Sequence, residues 1–177
     1  MNGFERKDPR TITEDLQAAV DSSIERGTFE LELDVTSDLD FSNLLNAIRS
    51  LDARSQDVTI AVDLNGGTFG GRRIRLPAGI SMFLFNGTLR GASPALVLEE
   101  GNLFLSNFDL TNGTDAPALL IAGGIATIRD SRLSESPAYD QSVITMIGGK
   151  LDFGTVDLPG RNQLQIFGHG PGSQNRA

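Results

Sequence analysis

Asparagine returns in this chain at a nearly fixed interval, each time close to apolar neighbours. The stretches "DLNGGTF", "LFNGTL" and "LSNFDL" place Asn65, Asn86 and Asn107 in steps of 21 residues. Leu89 and Leu110 follow the second and third after three positions, and Phe69 follows the first after one extra Gly. "IRDSRL" then puts Asp130 in the slot and "FGTVDL" puts Thr155 there, in steps of 23 and 25. A unit of this length cannot bury its own apolar side, so it must stack on copies of itself. Few folds satisfy that condition.

Set in register, the chain from residue 74 reads "IRLPAGISMFLFNGTLRGASP", "ALVLEEGNLFLSNFDLTNGTDAP", "ALLIAGGIATIRDSRLSESPAYDQ" and "SVITMIGGKLDFGTVDLPGRN", then opens another unit with "QLQIFG". The complete units hold 21, 23, 24 and 21 residues. Each carries three short alternating runs, such as "ALVL", "NLFL" and "FDL", with a Gly-rich turn after the first and a polar residue between the second and third. At roughly 3.3 Å per residue, a run forms one side of a small triangular coil, and successive coils hydrogen-bond at about 4.8 Å. A leucine-rich repeat has similar length, but its L-x-x-L-x-L-x-x-N pattern and helical return side are missing. A β-sandwich would show hairpin turns rather than so sharp a period.

The fold class predicted is mainly β: a right-handed single-stranded parallel β-helix, similar to pectate-lyase-like solenoids, with about five coils over residues 58–167. The recurring Asn is then architectural. It tolerates left-handed backbone angles at a corner and can bond to the coil beside it, building an asparagine ladder from Asn65, Asn86 and Asn107. Asp130 and Thr155 keep an oxygen but lack the amide donor, so the ladder should weaken towards the C-terminus.

Residues 1–57 read as a capping region. "TITEDLQAAVDSSIERG" predicts a helix over about 11–26, with Thr11 and Glu14 at capping-box spacing and Ile12, Leu16, Val20 and Ile24 on one stripe. "TFELELDV" alternates strictly and predicts a half-buried strand over 28–35. "DFSNLLNAIRSLDA" returns to a helical period over about 40–53, capped by Asp40 or Ser42. Residues 168–177 read as a disordered tail without an amphipathic helix. A last coil ending near residue 167 would leave strand edges open and favour weak end-to-end self-association.

Charge narrows the partners. With 15 Lys and Arg against 23 Asp and Glu, the net charge is −8. That argues against non-specific nucleic-acid binding and gives no basic patch for an anionic membrane. No apolar run approaches a membrane span, and "MNGFERKDPR" is polar where a signal peptide needs an apolar core. The absence of Cys removes disulfides and thiolate metal sites. The expectation is a cytosolic chain or a piece of something larger.

The segments "TDAPALLIAGG", "IRDSRLSES" and "LDFGTVDLPGRN" carry a resemblance. They are similar to β-helical repeat segments of very large exoproteins from planctomycete-type bacteria, over roughly residues 58–167. Where that pattern has "PGGN", this chain has "PGRN", and Arg161 stands in a position that Gly would hold in a left-handed turn. The resemblance implies a β-helical architecture and an extracellular or cell-surface location. It implies no catalytic residue.

Chemistry must be weighed because many parallel β-helices cleave acidic polysaccharides. "GHG" around His169 matches a short polygalacturonase motif, but the companion "NTD", "DD" and "RIK" motifs are missing. Inverting hydrolysis needs two carboxyl groups on one face, roughly 6.5–9.5 Å apart. Asp109, Arg132 and Asp157 fall in one expected row, which structural ion pairing explains better than a lyase site. Glu99 and Glu100 read as a turn acid pair. Arg72, Arg73, Arg75 and Arg90 form the one cationic cluster, a solvated rim or a hold for an anionic glycan. "NGT" at 86 and 112 reads as an Asn-Gly corner, and "NGGTFGG" at 65–71 as a bulged turn without the P-loop Lys.

The sequence therefore assigns no catalytic, cofactor-binding or metal-ligating residue. It favours a non-catalytic structural or adhesion module whose partner is a glycan or another surface protein. The competing readings are a polysaccharide lyase or hydrolase acting on an acidic glycan, and an end-stacking assembly unit.

Overall fold

The computed structural model describes residues 29–51, 58–71, 73–90, 94–112, 116–136 and 141–165. The helix expected over 11–26, Arg72, His169 and the tail over 168–177 lie outside them. Strand β1 (Phe29–Asp34) precedes helix α1 (Asp38–Leu51), and among the described residues only strands follow. These are β2 (Val58–Asp63), β3 (Thr68–Gly70), β4 (Ile74–Leu76), β5 (Ile80–Arg90), β6 (Leu96–Leu98) and β7 (Asn102–Thr111). The last are β8 (Leu119–Ile121), β9 (Ile125–Arg129), β10 (Arg132–Ser134), β11 (Ile144–Met146), β12 (Lys150–Asp152) and β13 (Gln163–Gln165).

Every pairing between these strands is parallel, and together they form three faces of a β-solenoid. The first face stacks β1, β2, the front of β5, the front of β7, β9 and β12. The second stacks β3, the back of β5, the back of β7, β10 and β13. The third stacks β4, β6, β8 and β11, four strands where about five coils were expected. β1 extends the first face through six residue pairs with β2, so the strand assigned to the capping region is hydrogen-bonded to the repeats.

Alternation explains the core. Along β5, Ile80, Met82 and Leu84 point inward and are buried; after the corner, Gly87 and Leu89 take up the inward phase. Leu103 and Leu105 give way to Phe108 and Leu110 in the same manner along β7. The three-residue step between inward positions is the signature of the corner. Stacked coils line these side chains into rows, for example Phe69–Leu89–Leu110–Leu133 and Leu76–Leu98–Ile121, all buried. A fully buried Leu in such a row contributes roughly 1.5–3 kcal/mol.

Two glycines are fixed by close approach. A Cβ at Gly87 would collide with Cβ of Leu64, which fills the inward space beneath it. Gly124 turns the chain from the third face to the first at φ 67°, and its own Cβ would meet the carbonyl oxygen of Gly101. That carbonyl accepts the amide of Ile125 at 3.2 Å, so the coils touch there backbone to backbone.

Helix α1 begins two residues earlier than its apolar period suggested, and its cap is Ser37. The Ser37 hydroxyl accepts the Asp40 amide at 3.2 Å. Asp40 reaches back to the amide and hydroxyl of Thr36, at 3.2 and 3.0 Å. Ser42 is no cap, because its hydroxyl donates to the Asp38 carbonyl within the helix. Phe41, Leu44, Leu45 and Ile48 are buried in the same core as the coils. The Phe41 ring stacks on Phe69 at 4.7 Å, with the planes 11° apart.

Candidate ligand groove at the left-handed corner

One residue in each coil takes a left-handed conformation between the first and second faces. Asn65, Asn86, Asn107 and Asp130 have φ of 49°, 55°, 50° and 49°, as the repeat predicted. The fifth is Arg161, at 51°, and Thr155 has no positive φ. This corrects the assignment of Thr155. β13 stacks on β10 with Gln163 opposite Arg132, a step of 31 residues, because the chain makes an excursion first. Gly154 and Pro159 form an antiparallel bridge at its base, and the Leu158 amide donates to the Thr155 hydroxyl at 3.0 Å. The extra Cβ of Arg161 does not abolish the left-handed turn. Asp130 holds the Arg161 side chain instead.

Asn107 Nδ2 donates to Asn86 Oδ1 at 2.8 Å, along the stacking direction. Asn86 Nδ2 donates to Asp63 Oδ2 at 3.1 Å rather than to Asn65. Asn65 Nδ2 lies 3.5 Å from Asp34 Oδ1. Among the described residues there is thus one Asn–Asn link, and carboxylates of the first face take over beyond it.

Two positions after each corner lies an outward residue of the second face: Thr88, Asp109, Arg132 and Gln163, in register. This row and the corner row line a groove of about 500 Å3, whose floor includes Gly87, Phe108 and Ser131. Two guanidinium–carboxylate forks occupy it. Arg132 Nε and Nη2 donate to Asp109 Oδ1 and Oδ2 at 3.2 and 3.0 Å. Arg161 Nε stands 2.6 Å from Asp130 Oδ1, and its Nη2 donates to Oδ2 at 3.0 Å. Such forks are directional as well as attractive. Asn107 Oδ1 and the Thr88 hydroxyl have no hydrogen-bond partner among the described residues.

The floor is itself polar where it must be. Ser131 is buried at an inward position, donates to the Arg129 carbonyl at 2.7 Å and accepts the Phe108 amide at 3.2 Å. Asn162 accepts the Ser131 amide at 3.1 Å and donates to the carbonyls of Ile128 and Phe153, at 2.7 and 3.2 Å. That side chain ties the excursion back to the coil before it.

Of the row expected from Asp109, Arg132 and Asp157, the first two adjoin as read. Asp157 does not join them: it sits exposed in the excursion, and Gln163 holds the register position. The Arg cluster divides. Arg73 Nε donates to the Pro94 carbonyl at 3.0 Å, Arg75 pairs with Glu99, and Arg90 is exposed at the end of β5. Of the two NGT segments, Asn86 is a corner. Asn112 is buried with no positive φ, donates to the Gln141 carbonyl at 3.4 Å and accepts the Ser136 amide. Asn162 and Gln163 were missed as site residues, and Arg161 was read as standing at a left-handed turn but not as the corner of the last coil; the "PG" dipeptide before them was the signal that a turn precedes the corner.

A second surface lies on the first face. Phe83 and Phe104 project outward from neighbouring strands, ring centroids 5.4 Å apart and planes at 40°. Ser81, Asn102, Ile125 and Thr127 surround them in a shallow depression of about 310 Å3. Both surfaces are carried by β5 and β7, on either side of the corner.

No protein family, curated protein or solved structure matches the chain. Among the described residues, no helix is long and apolar enough to cross a membrane.

Proposed function

We propose that the chain is a non-catalytic β-helical module of a secreted or cell-surface protein, a scaffold whose corner groove holds a glycan. One observation carries this reading: both carboxylates in the groove are committed to Arg forks. A glycosidase needs one carboxyl group to protonate the leaving oxygen and another to attack or activate water. With both oxygens of Asp109 and of Asp130 accepting from guanidinium groups, neither is placed for that work. What the groove offers is a net-neutral arrangement of guanidinium, carboxylate and amide groups with an unpaired hydroxyl and carbonyl. Those groups suit the alternating donors and acceptors of sugar hydroxyls. The Phe83–Phe104 pair adds an apolar platform around the corner for the C–H face of a sugar ring.

The architecture we infer around the groove is a right-handed winding, the hand that parallel crossovers nearly always adopt. We take α1 as the cap of the first coils, and the Asn86–Asn107 bond as the centre of a ladder that Asp63 continues. The extracellular location rests on the sequence resemblance alone.

Incubation with pectin, polygalacturonate, alginate and hyaluronan, with and without calcium, should release neither unsaturated products nor reducing ends. Calorimetric titration with the same glycans and neutral ones should show binding that weakens at least tenfold in Arg132→Ala. Product release that disappears in Asp109→Asn would replace this reading with an enzymatic one. Failure to bind any glycan would remove the ligand.

A further inference from the structure

Outward positions on a water-facing sheet normally carry polar side chains, yet β5 and β7 place Phe83 and Phe104 there, opposite each other in register. Their neighbours in the same outward row are small, Ala61 on β2 and Thr127 on β9, so the rings stand above the face. Phe83 is 37% exposed. The pair sits in the middle of the stack, where β2 bonds to β5 on one side and β9 bonds to β7 on the other. These rings are therefore not the uncovered end of a core. An exposed aromatic pair held on strands paired at both edges marks a binding surface.

The chemistry around the pair is neutral. Its depression is lined by Ser81, Asn102, Ile125 and Thr127 beside the rings and holds no ionisable side chain. Asn102 Nδ2 donates to the Ser81 hydroxyl at 3.1 Å, and Asn102 Oδ1 has no partner among the described residues. Around the corner, the ionised groups of the groove are two Arg and two Asp, and they cancel. The whole chain carries a net charge of −8. A polyanion therefore meets repulsion at long range and no surplus cation at either surface. A neutral glycan meets neither obstacle, and its hydroxyls can pair with Asn102 Oδ1, Asn107 Oδ1 and the Thr88 hydroxyl.

The two surfaces are continuous. Outward positions along β5 run Phe83 and Phe85, then the corner Asn86, then Thr88. Beside them β7 runs Phe104, Ser106, Asn107 and Asp109. Phe83 to Thr88 is five steps of extended chain, about 16 Å. We infer that one uncharged polysaccharide chain lies across this corner, with the C–H faces of its rings on Phe83 and Phe104 and its hydroxyls in the groove. This rests on the glycan reading above and narrows it to a neutral ligand that spans several sugar units.

Calorimetric titration with galactomannan, xyloglucan, arabinoxylan and mixed-linkage β-glucan, set against polygalacturonate, alginate and hyaluronan, tests it. A neutral glycan should bind, and raising NaCl from about 0.05 to about 0.5 M should change its affinity less than about twofold, since no screened attraction is involved. Phe104→Ala and Phe83→Ser should each weaken that binding by at least about tenfold. Their circular dichroism spectra should match the wild type, because neither ring belongs to the buried core. Oligosaccharides of the same glycan should gain affinity until they reach about 16 Å and then level off, and Phe104→Ala should remove the gain. Binding of the acidic glycans alone would overturn this inference and leave the glycan reading standing. A neutral glycan that binds both Phe variants as tightly as the wild type would do the same, because the ligand would then occupy the groove only. If no glycan of either kind binds, both readings fall together.

Discussion

β5 and β7 pass the corner as unbroken strands, whereas the last coil leaves the stack after β12 and returns to it only at β13. The two regions share a left-handed corner residue and an inward apolar row, so neither feature alone makes a buried coil. What separates them is a neighbour on both sides. Between two coils, the inward residues of β5 and β7 are buried. With one neighbour among the described residues, Leu164 is half exposed. Stability in this chain therefore belongs to the contact between coils, as expected when each repeat touches only those beside it.

Truncation separates the two ends most strongly. Phe41 is fully buried between α1 and the coils and stacks on Phe69, so Phe41→Ala removes a ring from a filled core. The expected cost is about 3–5 kcal/mol. Leu164→Ala removes a side chain that is already half in water, and should cost well under the cost of a buried Leu, about 1 kcal/mol or less. Urea unfolding of the two variants, at concentrations where both are monomeric, gives the comparison. Equal losses would mean that the last coil is packed as tightly as the first.

The corners give a smaller contrast. Asn86 lies within the stack, accepts from Asn107 and donates to Asp63. Asn86→Ala leaves those groups unpaired and puts Ala at a left-handed φ, for about 1–3 kcal/mol in all. Arg161 has the same φ in the last coil, and its side chain is largely exposed. Arg161→Gly relieves the backbone while giving up a solvent-screened fork, and these small effects offset one another to within about 1 kcal/mol. Thermal melts should show a clear drop for the first and little change for the second. A large loss in Arg161→Gly would make the fork to Asp130 structural.

The same contrast explains what could be read from the sequence. The coils around β5 and β7 were legible because a stacked neighbour forces the period: Asn86 and Asn107 had to recur with Leu89 and Leu110 in phase. Asp109 and Arg132 were legible as neighbours for the same reason. The last coil was not, because the chain between β12 and β13 makes an excursion that no neighbouring described strand holds in period. Thr155 and Asp157 kept the expected spacing but left the stack with it, and Arg161 took the corner from further along the chain. The helix cap was misread by a few residues for a different reason. Apolar periodicity marks where α1 packs, while its start is set by Ser37 and Asp40, whose bonds are local and polar.

Acid gives the smallest and most specific comparison. Burial of Asp40 works against its ionised form, but donors from Ser37 and Thr36 outweigh that and hold its carboxyl below the usual range. A folded value below the unfolded one, about 3.9 for Asp, means stability that is present above that pH and lost as pH falls through the folded value. Asp152 in the last coil is lowered as well, chiefly by the hydrogen bond from Arg129, with the Gly154 amide adding to it. Both shifts have the same sign, so wild-type stability should fall between neutral pH and pH about 3. They differ in place: Asp40 steadies the first turn of a helix whose apolar side is buried in the core, and Asp152 stands on the last coil. At neutral pH, Asp40→Ala should cost about 1 kcal/mol, the usual worth of a helix-terminal bond. Its fall in stability with acid should then be shallower than that of the wild type, since that part of the loss has already been taken. If the wild type and Asp40→Ala lose the same amount between those pH values, the acid sensitivity of the chain lies elsewhere, and Asp152→Asn becomes the variant that must flatten the curve.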